Sequence, residues 1–188
     1  MISLETERLT LALPTAERAY AAWRFHSDNW AHLAPWSPAP PAGFDTLAYW
    51  QAYVEKTRLA FLDDKIIRFW IAPKATPHAV IGTIGFSQIS RGPYCNAVLG
   101  YQIGEQFQGQ GVMHEALQCA IAYAFNEQKF HRISANYRPE NVRSGRLLAR
   151  LGFQIEGFAR DYLFIDGAWR DHVLTSRTES NAVMKLAR

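Results

Sequence analysis

Leucines at 9, 11 and 13 alternate with polar or small residues in RLTLAL (8–13), the period-two pattern of a strand with one buried face. Thr15, a good capping residue, then precedes Ala19, Ala22, Trp23 and His26, which recur at helical spacing to about Asp28. HLAPWSPAPPAGF (32–44) holds too many prolines to continue a helix and reads as a loop that is unusually apolar for a connector. Asp45 opens a second helical pattern through Leu47, Tyr49, Trp50, Val54 and Phe61 to about Asp64.

The period then changes. KIIRFWIAP (65–73) and HAVIGTIGFSQI (78–89) are rich in β-branched and aromatic residues and flank a proline-containing turn, which predicts an antiparallel pair; CNAVLGYQI (95–103) supplies the next strand. Met113, Ala116, Leu117, Ala120, Ile121 and Ala124 share one face of a helix over 112–125. HRISANY (131–137) reads as a strand, and NVRSGRLLARLG (141–152) as a short helix closed by Gly152. FQIEGFARDYLFI (153–165) and AWRDHVLTS (168–176) flank Asp166-Gly167 and predict a closing hairpin. The order β-α-α-β-β-β-α-β-α-β-β predicts an α/β (α+β) fold with a mixed sheet in a single domain over 1–188, with 177–188 as a mobile tail.

Composition adds constraints. The chain has 188 residues, 48% hydrophobic and 20% charged, enough for one ordinary core. No apolar run is long enough for a membrane span and the first 13 residues lack signal-peptide character, so a cytoplasmic protein with no membrane partner is expected. Cys95 and Cys119 form no disulfide framework or metal spacing and are expected as free thiols. His114-Glu115 opens like a zinc-protease motif but meets Gln118 where the second histidine belongs, so no metal is assigned. Charge is uneven: residues 1–128 carry 9 basic and 11 acidic side chains, a net −2, whereas 129–188 carry 11 and 6, a net +5. That bias suits either an anionic partner or a solvated face.

The chemistry concentrates in LGYQIGEQFQGQGVMHEAL, where a strand ends at Ile103 and a glycine-rich loop feeds a helix. Gly109 and Gly111 let backbone N–H groups approach an anion closely, and the helix start adds about half a positive charge, so a pyrophosphate is the expected ligand. A P-loop would need Lys-Ser/Thr where Val112 and Met113 stand. A dinucleotide fold would need a third glycine at His114 and an acidic residue about 20 positions on. Both are excluded.

Gln106-Phe107-Gln108-Gly109-Gln110-Gly111 resembles the Q/R-x-x-G-x-G/A pyrophosphate loop of the GCN5-related N-acetyltransferase (GNAT) superfamily. ETERLTLAL, HLAPW, LGYQIGEQFQGQG, RSGRLLARLGF and DYLFIDGAWRDHVLTS resemble its RimJ/RimL branch, the ribosomal-protein N-terminal acetyltransferases, most nearly the RimJ type, over almost all of 5–176. The resemblance implies about seven mostly antiparallel strands with helices on both faces, splayed between the fourth and fifth. Acetyl-CoA is the implied cosubstrate, its pantetheine arm lying along the fourth-strand edge at 99–103, which includes Tyr101 and Ile103. Gln108, Gly109, Gln110, Gly111, Val112 and Met113 would hold the pyrophosphate.

By the same resemblance Ser144 is the acid for the departing thiolate, and Asn141 binds or orders pantetheine. The family's glutamate base falls at Leu163 here, which leaves Asp161, two residues earlier on the strand, or a water chain ending at Glu105, or Tyr101. Arg143, Arg146 and Arg150 recur on one helix face, with Arg146 the candidate for the CoA phosphate or for RNA. Trp36, with Tyr101, either shapes the acceptor pocket or anchors the proline-rich loop. The implied acceptor is the N-terminal α-amine (Ala or Ser) of a ribosomal protein, with ribosome contact and no DNA partner. A small-molecule amine is the alternative, and a non-catalytic ribosome- or RNA-binding protein is a second. The latter lacks the K/R-G-F/Y aromatic motif of the common sheet-type RNA binders.

Overall fold

The computed structural model describes residues 2–179. Its strands are β1 (Ser3–Glu5), β2 (Leu9–Ala12), β3 (Ile67–Pro73), β4 (Gly82–Ser90), β5 (Asn96–Ile103), β6 (Arg132–Tyr137), β7 (Gln154–Ile165) and β8 (Ala168–Thr178). The helices are α1 (Ala19–Leu33), α2 (Leu47–Leu62), α3 (Val112–Asn126) and α4 (Val142–Arg150). One sheet in the order β1-β2-β3-β4-β5-β6-β8-β7 joins all eight strands. Every neighbouring pair is antiparallel except β5 with β6, which α3 connects as a crossover.

Consecutive strand residues point to opposite faces, so one sheet serves two cores. Phe69, Ile71, Ile84 and Phe86 pack with Ala116, Leu117, Ala120 and Ile121 of α3. On the other face, Trp70 and Val80 pack with Ala22 and Phe25 of α1 and Trp50 of α2. The adjacent aromatics Phe69 and Trp70, both fully buried, thus belong to different cores. No helix among the described residues is long and apolar enough to cross a membrane.

Several boundaries differ from expectation. β1 was not anticipated: at three residues it is too short to show alternation, and it is fixed by pairing Ser3 with Ala12 and Glu5 with Thr10. Helix α1 runs five residues beyond Asp28, to Leu33, because no breaker precedes Pro35, and a 3-10 turn at Ala34–Trp36 follows. Thr15 makes no side-chain cap; a 3-10 turn at Ala16–Arg18 comes first. The cap of α2 is Thr46 rather than Asp45, with Tyr49 N–H donating to its Oγ1 at 3.3 Å. Arg177 and Thr178 belong to β8 rather than a tail, and Arg177 Nη1 donates to the Leu151 carbonyl at 2.8 Å; 180–188 lie outside the described residues.

Candidate active site

β5 and β6 run together only from Asn96–Arg132 to Leu99–Ala135. Beyond Leu99, β5 keeps its bonds to β4, with Gly100 facing Gly85 and Ile103 facing Gly82, while among the described residues its other edge has no strand beside it. β6 meanwhile stays with β8 as far as Tyr137 opposite Val173. The sheet therefore splits between β5 and β6, the split expected between the fourth and fifth strands, renumbered by β1. A cavity of about 1460 Å³ passes through it. That exceeds the ~300–1,000 Å³ usual for one small ligand and suits two substrates meeting from opposite faces.

At one end of the split lies the glycine loop. Gly109 and Gly111 adopt φ of 73° and 74°, the left-handed region that a side chain disfavours. Among the described residues, no protein acceptor takes the N–H groups of residues 109–114, and the first inward bond is Glu115 N–H to the Gly111 carbonyl at 3.0 Å. Six consecutive free donors at a helix start form an anion cradle. The loop is held from outside: Arg8 donates through both Nη atoms to the Gln110 carbonyl at 3.3 Å and through Nε to Glu115 at 2.7 Å. Partial burial pushes the Glu115 carboxyl up, but bonds from Thr6 and Arg8 outweigh it and hold the group below the usual range. Gln108 ties the mouth together, meeting His32 Nε2 of α1 at 2.7 Å while its Oε1 accepts from Arg143 of α4.

At the centre, Tyr101 of β5 and Ser144 of α4 share a hydrogen bond of 2.7 Å between hydroxyls. Ser144 is fixed by its helix: the Asn141 Oδ1 accepts from Ser144 N–H at 3.1 Å as the α4 cap. α4 approaches closely because Gly145 has no side chain; a Cβ there would come within 2.8 Å of the Tyr137 ring. Burial pushes the Tyr101 hydroxyl up to about 12, against the opposing effect of the Ser144 bond, so Tyr101 keeps its proton at any ordinary pH. With its proton retained, Tyr101 can donate to Ser144.

The α1–α2 side of the split is a chamber walled by aromatics. His26 stacks on Trp50 with centroids 4.3 Å apart, and Phe44 stands edge-on at 5.2 Å. Gln102 Nε2 donates to Ser37 Oγ at 2.9 Å, which ties the proline-rich loop to β5. Trp36 is 39% exposed at the rim beneath the Arg138 guanidinium, 5.4 Å from its centroid, rather than a buried anchor. Arg138 also donates to the Pro35 carbonyl at 2.5 Å. Among the described residues, the sole carboxylate in the cavity lining is Glu140, exposed and 3.4 Å from Arg138, whereas Arg68, Arg138, Arg143, Arg146 and Arg150 all line it.

Of the residues expected from sequence, Tyr101, Ile103, Gln108, Gly109, Gly111, Val112, Met113, Asn141, Ser144, Arg146 and Trp36 line this one cavity. Gln110 does not; its side chain turns back to the Gln106 carbonyl at 2.6 Å. Asp161 is not brought to the site. It is exposed at φ 48° on an irregularity where three residues of β7, 160–162, stand against Asp171 alone on β8, so the same-face argument from Leu163 does not hold. Glu105 sits exposed on a 3-10 turn away from the lining. His26, read only as a helix position, and His32, Arg68 and Arg138 were not assigned to the site because none belongs to a motif whose spacing marks it. The residues fit coenzyme A: free amides and arginines for its phosphates, and an open strand edge for its amide-bearing arm.

An acetyltransferase (GNAT) domain model matches residues 8–154. The chain is 41% identical over 177 residues to the [ribosomal protein uS5]-alanine N-acetyltransferase of Escherichia coli, covering 94% of this chain and 91% of that one. Its structure is similar to that of the ribosomal-protein-S5-alanine acetyltransferase from Vibrio fischeri, with TM-score 0.92 and 34% identity over 97% of this chain and 100% of that one. It is also similar to Mycobacterium smegmatis RimJ in complex with CoA-disulfide, with TM-score 0.85 and 28% identity over 90% and 81%. With a split sheet, a free-amide loop and these matches over nearly its whole length, the chain belongs to the GNAT family of N-acetyltransferases.

Proposed function

We propose that the protein acetylates the N-terminal α-amine of a ribosomal protein, with an alanine or serine first, using acetyl-CoA. The observation that carries this reading is the placement of six free amides and the Tyr101–Ser144 hydroxyl pair on one cavity that crosses the sheet. Acetyl-CoA supplies the acetyl group as an activated thioester. The loop amides of 109–114 and the arginines of α4 hold its phosphates, and the free edge of β5 at 100–103 aligns its arm. Tyr101 donates to Ser144, leaving the serine proton directed at the departing sulfur as the C–S bond breaks; the proton that the attacking nitrogen sheds on forming the amide restores the serine, so none is gained or lost overall. Asn141 acts through Ser144, by capping the helix that presents it.

The chamber argues for an α-amine. A terminal α-amine with an ordinary pKa near 7.8 is about one-seventh neutral at pH 7, whereas an alkylamine near 10.4 is neutral only about 0.04% of the time. A cavity lined by five arginines and, among the described residues, a single exposed carboxylate repels a polyamine, and its histidines are far weaker bases than an alkylamine. It therefore suits an acceptor that arrives already deprotonated. The α4 arginines lie at the cofactor end of this cavity, so their basic face is explained without RNA, and ribosome contact follows from the acceptor itself.

The test is mass spectrometry of Ala- and Ser-starting peptides incubated with acetyl-CoA, beside spermidine. Transfer to the peptide α-amine is expected, with kcat lowered at least tenfold in Ser144→Ala and CoA affinity within about twofold. Absence of transfer to every peptide by the folded, CoA-binding protein refutes the reading.

A further inference from the structure

Among the described residues, one charge in the acceptor chamber has no partner. Arg68 of β3 stands opposite Gly85 of β4, which stands opposite Gly100 of β5, so the three positions share the α1–α2 face of the sheet. The guanidinium lies over Gly85, where an added Cβ would overlap it, and nothing stands within 4 Å of the corresponding point at Gly100. It therefore faces an open glycine step that leads to the split between β5 and β6. Its Nε is buried with no hydrogen-bond partner, and no carboxylate among the described residues pairs with it. The nearby ionisable groups are His26, which burial keeps neutral, and Tyr49. A cation held this way lacks the counter-ion that partly buried charges require.

We propose that Arg68 binds a carboxylate carried by the acceptor close behind its α-amine, so that the enzyme selects N-termini with an acidic residue among the first four. This rests on the peptide-acceptor reading above and names the class of peptide. Strands lie about 4.8 Å apart, so a guanidinium above β4 is two spacings, roughly 10 Å, from the split beyond β5. An extended peptide advances ~3.4 Å per residue, which places the third or fourth residue beside Arg68 when the amine is in the split. A guanidinium with free donors takes a carboxylate in two parallel bonds, a match that neutral glutamine cannot reproduce. Gly85 and Gly100 then have complementary uses: the first makes room for the guanidinium, and the second leaves clear the floor along which the peptide reaches it.

The experiment compares Ala-starting octapeptides carrying Glu or Gln at position two, three or four, by kcat/KM, in the wild type and in Arg68→Met and Arg68→Lys. The wild type is expected to favour Glu over Gln tenfold or more at one or more of these positions, Arg68→Met to reduce that ratio to about one, and Arg68→Lys to retain part of it. A purely structural arginine would lower both rates and leave the ratio intact, which overturns the proposal. Equal wild-type rates on Glu and Gln peptides overturn it without any variant, and so stand even if Arg68→Met fails to fold. Those equal rates leave α-amine acetylation untouched, whereas no transfer to any peptide refutes both readings together.

Discussion

Lowering the pH from 7 to 5 is expected to destabilise this protein by about 2 kcal/mol through His26 alone. The ring is 6% exposed, stacked on Trp50, edge-on to Phe25 and Phe44, and its buried Nδ1 has no partner. Burial, and secondarily the Arg68 charge, lower its pKa from 6.5 to about 3. A base whose folded pKa is depressed is neutral in the fold while the unfolded chain takes up a proton. Its contribution is therefore complete above the ordinary value and is lost as pH falls from there toward the folded one. At pH 7 protonation of the unfolded histidine costs only ~0.2 kcal/mol, and at pH 5 about 1.36 × 1.5, or ~2 kcal/mol. With a urea slope of about 2 kcal/mol/M, the midpoint falls by ~1 M. His26→Phe keeps an aromatic ring against Trp50 and removes the proton site, so carboxylate and other histidine effects cancel between the two proteins. The measurement is urea unfolding of both at pH 7 and 5. If both lose the same stability, the assignment of an uncharged histidine to the chamber wall is wrong.

Gly109→Ala, at φ 73° with open space where its methyl would point, is expected to cost about 1–2 kcal/mol in thermal or urea unfolding and to weaken CoA at least tenfold by calorimetry. A methyl tolerated with unchanged CoA affinity would show that the amides do not grip the diphosphate. Tyr101→Phe leaves Ser144 without its 2.7 Å partner and is expected to lower kcat about tenfold while CoA binding stays within twofold. Because the Tyr101 pKa is raised to about 12, its stabilising contribution is complete below pH 10 and is lost as pH rises through 12; the wild type should therefore lose more stability than Tyr101→Phe over that interval.

Most of the fold was legible because its signals are local. The switch from period-two to helical spacing located β2 to β8, and Gly152 closes α4 as expected: at φ 84°, its N–H reaches the Ala149 carbonyl and that of Phe153 the Leu148 carbonyl, each at 3.0 Å. The misses occur where local signals are weak or overridden. β1 has three residues and depends on β2 for its existence. The five extra residues of α1 carry no strong breaker, and the proline-rich loop hid a helix end that only Pro35 defines.

The site divides in the same way. Its cofactor half is one contiguous segment plus α4, so glycine spacing and the Asn141–Ser144 interval locate it. The acceptor half is assembled from α1, the proline-rich loop, α2, β3 and the ends of β5 and β6, and no spacing within any of them records the others. Asp161 shows the limit of alternation: two residues apart means one face only while the ladder is regular, and β7 is irregular there. Arg68 shows the converse, since its position in KIIRFWIAP marks it as facing the same side as Trp70 but not as unpaired. That required knowing that Gly85 and Gly100 lie beside it in consecutive strands, and that no acid on α1 or α2 reaches the three of them. A charge left open at the end of a glycine step can be read only after the strands are paired, and it is where the protein's choice of acceptor is decided.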